Sequence, residues 1–257
     1  MIFDTHAHYD DEQFDTDRNE LLLSMKDNGI GNIVNVGANM ASSARSIGLS
    51  RQYDFIYAAV GVHPSDSLEL TDDRLSELRE MSSDPKCVAI GEIGLDYYWP
   101  EPDREIQKVW FRKQLRLARE VKLPVIIHSR DAALDTVTIL KEEGAEDIGG
   151  VVHCFSYSKE VALECVGMGF YIGIGGVLTF KNARRLVEAA EVLPLEKIIL
   201  ETDCPYLSPV PFRGKRNSSL NLVYVVEKLA EIKGVSAEEI IDVTEKNARL
   251  MYRLDKS

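Results

Sequence analysis

The chain carries only five histidines in 257 residues, and each stands at the end of a short apolar run. His6 and His8 close IFDTHAH, His63 follows AAVGV, His128 follows PVII and His153 follows GVV. Side chains two apart on an extended chain point to the same side, so His6 and His8 can reach a single metal ion while Thr5 and Ala7 face away. Two carboxylates share the pattern: Glu92 inside VAIGEIGL and Asp203 inside IILETD. An acid set in an apolar strand is costly unless a partner neutralises it, and beside histidines a divalent cation is the natural partner. Imidazole with carboxylate suits Zn, Mn, Fe or Co, with Mg possible where carboxylate and water dominate. His6, His8, Glu92, His128, His153 and Asp203 together exceed what one tetrahedral ion needs, which points to two divalent ions sharing a bridging carboxylate. Such a pair lowers the pKa of a water toward neutrality and offsets the charge that builds on a phosphodiester.

Groups so far apart in sequence meet only if the elements carrying them end on one face. Residues 2–6, 32–38, 55–63, 88–95, 124–129, 150–155, 170–176 and 198–203 read as eight strands, with amphipathic segments between most of them. The clearest helix covers 103–122, and Ser158 and the Ser236/Glu239 capping box mark two helix starts. Alternation on this scale predicts an α/β fold, a (β/α)8 TIM barrel forming a single domain over 1–257. A doubly wound sheet would alternate too. No glycine-rich fingerprint follows the first strand, however, and the polar groups sit at the ends of many strands, not at one crevice. In a barrel the C-terminal strand ends converge where active sites are built, and five histidines out of five at that rim are hard to explain by packing.

The remaining chemistry is placed by the same parity. Asp4 and Glu201 share the site-facing side and are candidates for fixing histidine tautomers. Cys154 and Cys204 alternate away from it and read as core; the four cysteines form no CxxC pair. His63 is one histidine more than the ligand count requires, and is read as a hydrogen-bond donor to the substrate or as a turn cap. Arg130, two after His128, and the RGKR loop with Arg213, Lys215 and Arg216 are the candidate phosphate contacts. Of Tyr97, Tyr98 and Trp99, an aromatic could stack on an unpaired base or pack under its loop. The net charge of −12 argues against coating a long duplex, but not against a strand end met by two cations and a short basic loop. No run approaches the roughly 18 apolar residues of a membrane span, and no apolar signal core opens the chain. A cytoplasmic location is expected, with no membrane role and no protein partner inferable. The NSS sequon at Asn217 carries little weight without a secretion signal.

FDTHAH, GVHP, GEIGLDYY, HSRDA, VVHCFS, LETDCPYL and RGKRN, in this order over essentially the whole chain, resemble the TatD-type metal-dependent deoxyribonucleases of the amidohydrolase superfamily. The resemblance implies a (β/α)8 barrel with a binuclear centre, in which His6, His8 and Asp203 hold one ion, His128 and His153 the other, and Glu92 bridges them. It also implies that Glu92 and Asp203 are catalytic, Asp203 taking a proton or orienting the nucleophile, and that DNA is degraded from the 3′ end. Many superfamily members bridge their metals with a carboxylated lysine. Here Lys86 and Lys122 precede the fourth and fifth strands, at the wrong pole, which leaves Glu92. One departure is that SSLN follows RGKRN, where the family often continues with proline. The sequence leaves two other readings open: a hydrolase of carboxylic ester or C–N bonds, such as an aminoacyl-tRNA deacylase, and a scaffold with a vestigial site.

Overall fold

The computed structural model describes residues 1–254. The expected single-domain span, 1–257, includes residues 255–257, which lie outside those described. Eight strands run as β1 (Ile2–Ala7), β2 (Ile30–Val36), β3 (Ile56–Val60), β4 (Cys87–Asp96), β5 (Val125–Arg130), β6 (Gly150–Val152), β7 (Tyr171–Ile174) and β8 (Ile198–Leu200). They form one sheet in sequential order, every neighbouring pair parallel. The segment after β8 pairs back to β1: Asp203 N–H donates to the His6 carbonyl over 2.9 Å, and His8 N–H to the Cys204 carbonyl over 2.8 Å. The result is a nearly closed barrel. Around it lie α1 (Arg18–Leu23), α2 (Met40–Gln52), α3 (Asp72–Met81), α4 (Arg104–Val121), α5 (Ala133–Glu142), α6 (Lys159–Gly167), α7 (Arg184–Val192), α8 (Leu222–Lys233) and α9 (Ala237–Met251). No helix among the described residues is long and apolar enough to cross a membrane.

Strands of a parallel sheet are covered on both faces, which is why they read as unbroken apolar runs rather than alternating ones. All ten residues of β4 are buried, Glu92 among them. Helix α4 starts where the Asp103 carboxylate accepts from Glu105 N–H (2.8 Å) and stops at Lys122, in the left-handed region. At α9 the Ser236 hydroxyl accepts from Glu239 N–H (3.1 Å), a cap that typically contributes about 1 kcal/mol. Ser158 sits at the start of α6 but gives its backbone no side-chain cap.

One apolar cluster matters most to the site. Phe3, Val34, Val36, Ala59, Ile126, Val151 and Ile199 pack together with Met251 and Tyr252 from the end of α9. Ile126, Val151 and Ile199 precede His128, His153 and Glu201 by two residues, so the same side of each chain that builds this layer carries the polar groups above it. The Tyr252 hydroxyl donates to the Thr5 carbonyl (2.7 Å). An apolar plug thus floors a polar rim.

Several strands are shorter than the sequence suggests. β3, β6 and β8 end at Val60, Val152 and Leu200, so His63, His153 and Asp203 stand just past their strands. More than one residue past those ends the period of two no longer applies. Cys154 (φ +45°) and Asp203 (φ +58°) adopt left-handed backbone, and Cys154 turns into the site cavity instead of away from it. Cys204 is core as expected. β1 holds a second correction: its register against β2 shifts between Asp4 and Ala7, so parity does not carry from His6 back to Asp4.

Candidate metal centre

Glu92 is the hub. Its Oε1 lies 2.7 Å from both His128 Nδ1 and His153 Nε2. Its Oε2 lies 3.4 Å from His6 Nε2 and 3.9 Å from His8 Nε2. Asp203 Oδ1 closes the second group, 3.3 Å from His8 Nε2 and 3.7 Å from His6 Nε2. The two imidazole pairs are themselves tight, 3.1 Å between His6 Nε2 and His8 Nε2 and 3.3 Å between His128 Nδ1 and His153 Nε2. One carboxylate therefore turns each oxygen toward its own pair of ring nitrogens.

The outer nitrogens decide what the inner ones can do. His8 Nδ1 donates to the Val36 carbonyl (2.8 Å), which leaves the Nε2 lone pair facing inward. His128 is reversed: its Nε2 faces Asp96 Oδ2 at 3.1 Å, and Nδ1 points at Glu92. Carboxylate–histidine pairs of this kind fix ring orientation in metal sites. His63 differs again. Its Nδ1 accepts from Ser65 N–H (3.1 Å), capping a 3-10 turn, while Nε2 lies 3.7 Å from Glu92 Oε1. A neutral ring with Nδ1 so engaged carries its proton on Nε2 and offers a donor, not a lone pair, to the site. Distance alone would group His63 with Glu92 and His128. The tautomer argues against that grouping.

The electrostatics follow from crowding. Burial pushes the Glu92 pKa up, but His153, His63 and His128 outweigh it and hold the carboxyl well below its usual range. Burial lowers His8 and His128, yet the Asp203 and Glu92 carboxylates raise the first to about 9, and Asp96 and Glu92 raise the second to about 9. Burial and the neighbouring His128 lower His63 to about 3, so its ring is neutral. Burial and His153 lower His6 to about 4. Nitrogen and carboxylate donors packed this closely, with His8 and His128 oriented by hydrogen bonds at their outer nitrogens, fit borderline divalent ions, which would displace the protons those two rings otherwise hold.

His8, His63, Glu92, His128, His153 and Asp203 line a cavity of about 970 Å³, with His6 buried beneath them. Arg130 lines the same cavity. Arg213 and Lys215 do not: Arg213 stacks on Phe180 at 4.3 Å and Lys215 lies 5.6 Å from the Phe212 ring. Arg216 is tied to Asp17 by two short contacts, 2.8 and 2.5 Å. The basic loop is thus outside the cavity, and one of its cations is already paired. Its course is fixed by Asn217, which is buried and donates to the carbonyls of Thr202 and Tyr206, and by Ser219, which donates to Asp4 Oδ2 and takes up the Tyr9 hydroxyl. SSLN serves here without a proline, and a buried Asn217 is no glycosylation site.

Asp4 touches no imidazole. Its carboxylate accepts from Thr202 N–H and Oγ1, from Ser219 and from His6 N–H, fastening β1 to the segment after β8. Glu201 does lie under the histidines, with Oε1 3.9 Å from His153 Nδ1 and accepting from Cys154 N–H. β7 makes room for it, since a Cβ at Gly173 would sit 2.2 Å from Glu201 Oε2. Among the cavity residues that the sequence did not point to are Asp96 and Arg45. Asp96 stands four residues after Glu92 on one strand, so parity alone could have found it. Arg45 lines the far side from α2, paired with Asp10 at 3.1 Å, and nothing in its helical context marks it.

A parallel barrel that gathers five imidazoles and two carboxylates at the C-terminal ends of its strands defines the class of metal-dependent hydrolases. Residues 3–253 match the family model of TatD related DNase, and the chain belongs to that family. It is 49% identical over 255 residues to the uncharacterized metal-dependent hydrolase YabD of Bacillus subtilis, covering 99% of this chain and all of the relative. It is 33% identical to the 3′-5′ ssDNA/RNA exonuclease TatD of Shigella flexneri, over 98% of both chains. The crystal structure of the TatD homolog YJJV from Escherichia coli superposes with a TM-score of 0.92 at 32% identity, covering 98% of each chain.

Proposed function

We propose that this hydrolase cleaves phosphodiester bonds of DNA, at single strands or strand ends, using two divalent ions. The observation that carries the reading is Glu92, whose two oxygens face two separate imidazole pairs in one cavity that also holds a guanidinium, Arg130. His6, His8 and Asp203 would hold one ion and His128 and His153 the other, with Glu92 shared. Bound there, the ions would acidify a water and neutralise phosphate charge. The chain's own groups do the rest. Arg130 holds a phosphate oxygen, His63 donates Nε2–H to the phosphate or the leaving oxygen, and Asp203 accepts the proton of the attacking water. Arg213 and Lys215, outside the cavity, act on nucleotides further along by screened attraction. End-labelled single-stranded DNA should shorten stepwise from its 3′ end with Mg, Mn or Zn, and not after chelation. Intact strands alongside cleavage of an aminoacyl ester would replace this reading with the deacylase one.

Glu201 supports the same site from below. His6 Nδ1, His153 Nδ1 and Glu201 Oε2 are buried without hydrogen-bond partners among the described residues, and the three side chains offer atoms within 4.8 Å of one another. Rings that ligate through Nε2 keep their proton on Nδ1, and Glu201 is the carboxylate placed to receive both. Glu201→Gln keeps the shape and an oxygen for Cys154 N–H but removes the charge. Metal affinity should weaken roughly 10- to 100-fold at unchanged thermal midpoint, read by chelator competition. Unchanged affinity would reduce Glu201 to a space-filling role.

A further inference from the structure

We infer that Trp99, with Tyr98 and Arg130 beside it, is a nucleobase-binding subsite that selects unpaired strand ends. The inference rests on the phosphodiester reading above and deepens it. Most aromatic side chains of this protein are buried or half-buried; Tyr98 (53%), Trp99 (55%) and Tyr206 (50%) are exposed, of which Tyr98 and Trp99 stand side by side after β4, and Trp99 lines the metal cavity. Their rings meet edge to face, centroids 4.8 Å apart. The Arg130 guanidinium lies 3.8 Å over the Tyr98 ring and forms no ion pair among the described residues. The other cavity guanidinium, Arg45, is committed to Asp10. Arg130 thus keeps its donor edge for a phosphate while its face lies on an aromatic, an arrangement suited to a nucleotide.

The subsite is fixed to the centre by one residue. Asp96 Oδ2 meets His128 Nε2 at 3.1 Å, and Oδ1 accepts from Tyr98 N–H at 2.9 Å. Gln107 brackets Asp96, accepting from its N–H and donating to its carbonyl and to that of Pro102 (2.8–2.9 Å). Both ends of the aromatic loop are therefore tied down before substrate arrives. Tyr97 takes no part, because its hydroxyl donates to Asp135 and Arg104 covers its ring. Every base has a π face, so such a platform tolerates sequence but requires a base that is not paired. That requirement is a selection rule: single strands and frayed ends over blunt duplex.

The test compares kcat/KM on two short single strands, one ending in an ordinary nucleotide and one in an abasic tetrahydrofuran residue, for wild type, Trp99→Phe and Trp99→Ala. Wild type should prefer the base-bearing end roughly 5- to 100-fold. Trp99→Phe should keep most of that preference and Trp99→Ala should bring it close to one, together with the preference for single strand over blunt duplex. Metal content and thermal midpoint verify that the variants are intact. Equal cleavage of both ends by wild type, or a preference untouched in Trp99→Ala, overturns the subsite and leaves the nuclease reading standing. No cleavage of either strand by wild type removes both.

Discussion

Glu92→Gln is expected to fold and to lose at least about 10³-fold in kcat, together with metal. The magnitude follows from position. Replacing a group that merely orients a ligand typically costs 10- to 100-fold, whereas the two oxygens of Glu92 lie within 4 Å of five imidazoles and would be shared between the two proposed donor sets. The amide keeps volume and one acceptor but turns an NH2 toward one imidazole pair. That NH2 competes for a nitrogen lone pair the ion needs, and the site loses the one negative charge common to both halves. Fold should survive, because the layer beneath is apolar and independent of the charge. Elemental analysis after dialysis should find about one ion per chain or fewer, against two in wild type, with circular dichroism unchanged. Full metal content with kcat within about tenfold of wild type would mean that the carboxylate is not the bridge.

How far the sequence could be read depends on where backbone regularity ends. The barrel was legible because burial on both faces writes each strand as an apolar run; His128 lies where the β4–β5 ladder is regular and the period of two holds, whereas Glu92 lies at a register shift between Ile90 and Ile93 and was legible as an acid set in an apolar run. Past β6 and β8 the chain leaves the ladder, and left-handed residues redirect it. Cys154 was misplaced there for that reason. Asp4 was misplaced by the irregularity within β1, an extra residue that reverses facing without any mark in the local sequence. The basic loop shows a different limit. Composition makes RGKR conspicuous, but whether a cation reaches a cavity depends on partners distant in sequence, and Asp17 takes Arg216. Asp96 lay within reach of the parity argument and Arg45 did not, since a helical arginine facing a neighbouring loop looks like any solvated surface residue.

His63→Ala should leave metal content unchanged and slow turnover by roughly 10²- to 10³-fold, the range for removing a donor aimed at developing charge. The two halves of that expectation come from the two ring nitrogens. Nδ1 is occupied by Ser65 N–H, so the neutral ring cannot offer a lone pair at Nε2, and the proposed donor sets around Glu92 do not call on it. Nε2–H, in turn, faces the cavity beside Glu92 and His128, where a phosphoryl or leaving oxygen would sit. Burial and the His128 neighbour keep the ring neutral down to about pH 3, so it donates a hydrogen bond without bringing a charge to compete with the ions. Because His63 also caps its turn, Ala removes a local hydrogen bond as well. His63→Asn separates the roles: its side-chain oxygen can still accept from Ser65 N–H, but its amide is too short to present a donor where Nε2 stood. Both variants should therefore lose turnover alike while metal binding holds, with Asn the closer to wild type in thermal midpoint. Loss of about one ion per chain in either variant would make His63 a ligand, and full turnover in His63→Asn would leave it only the cap.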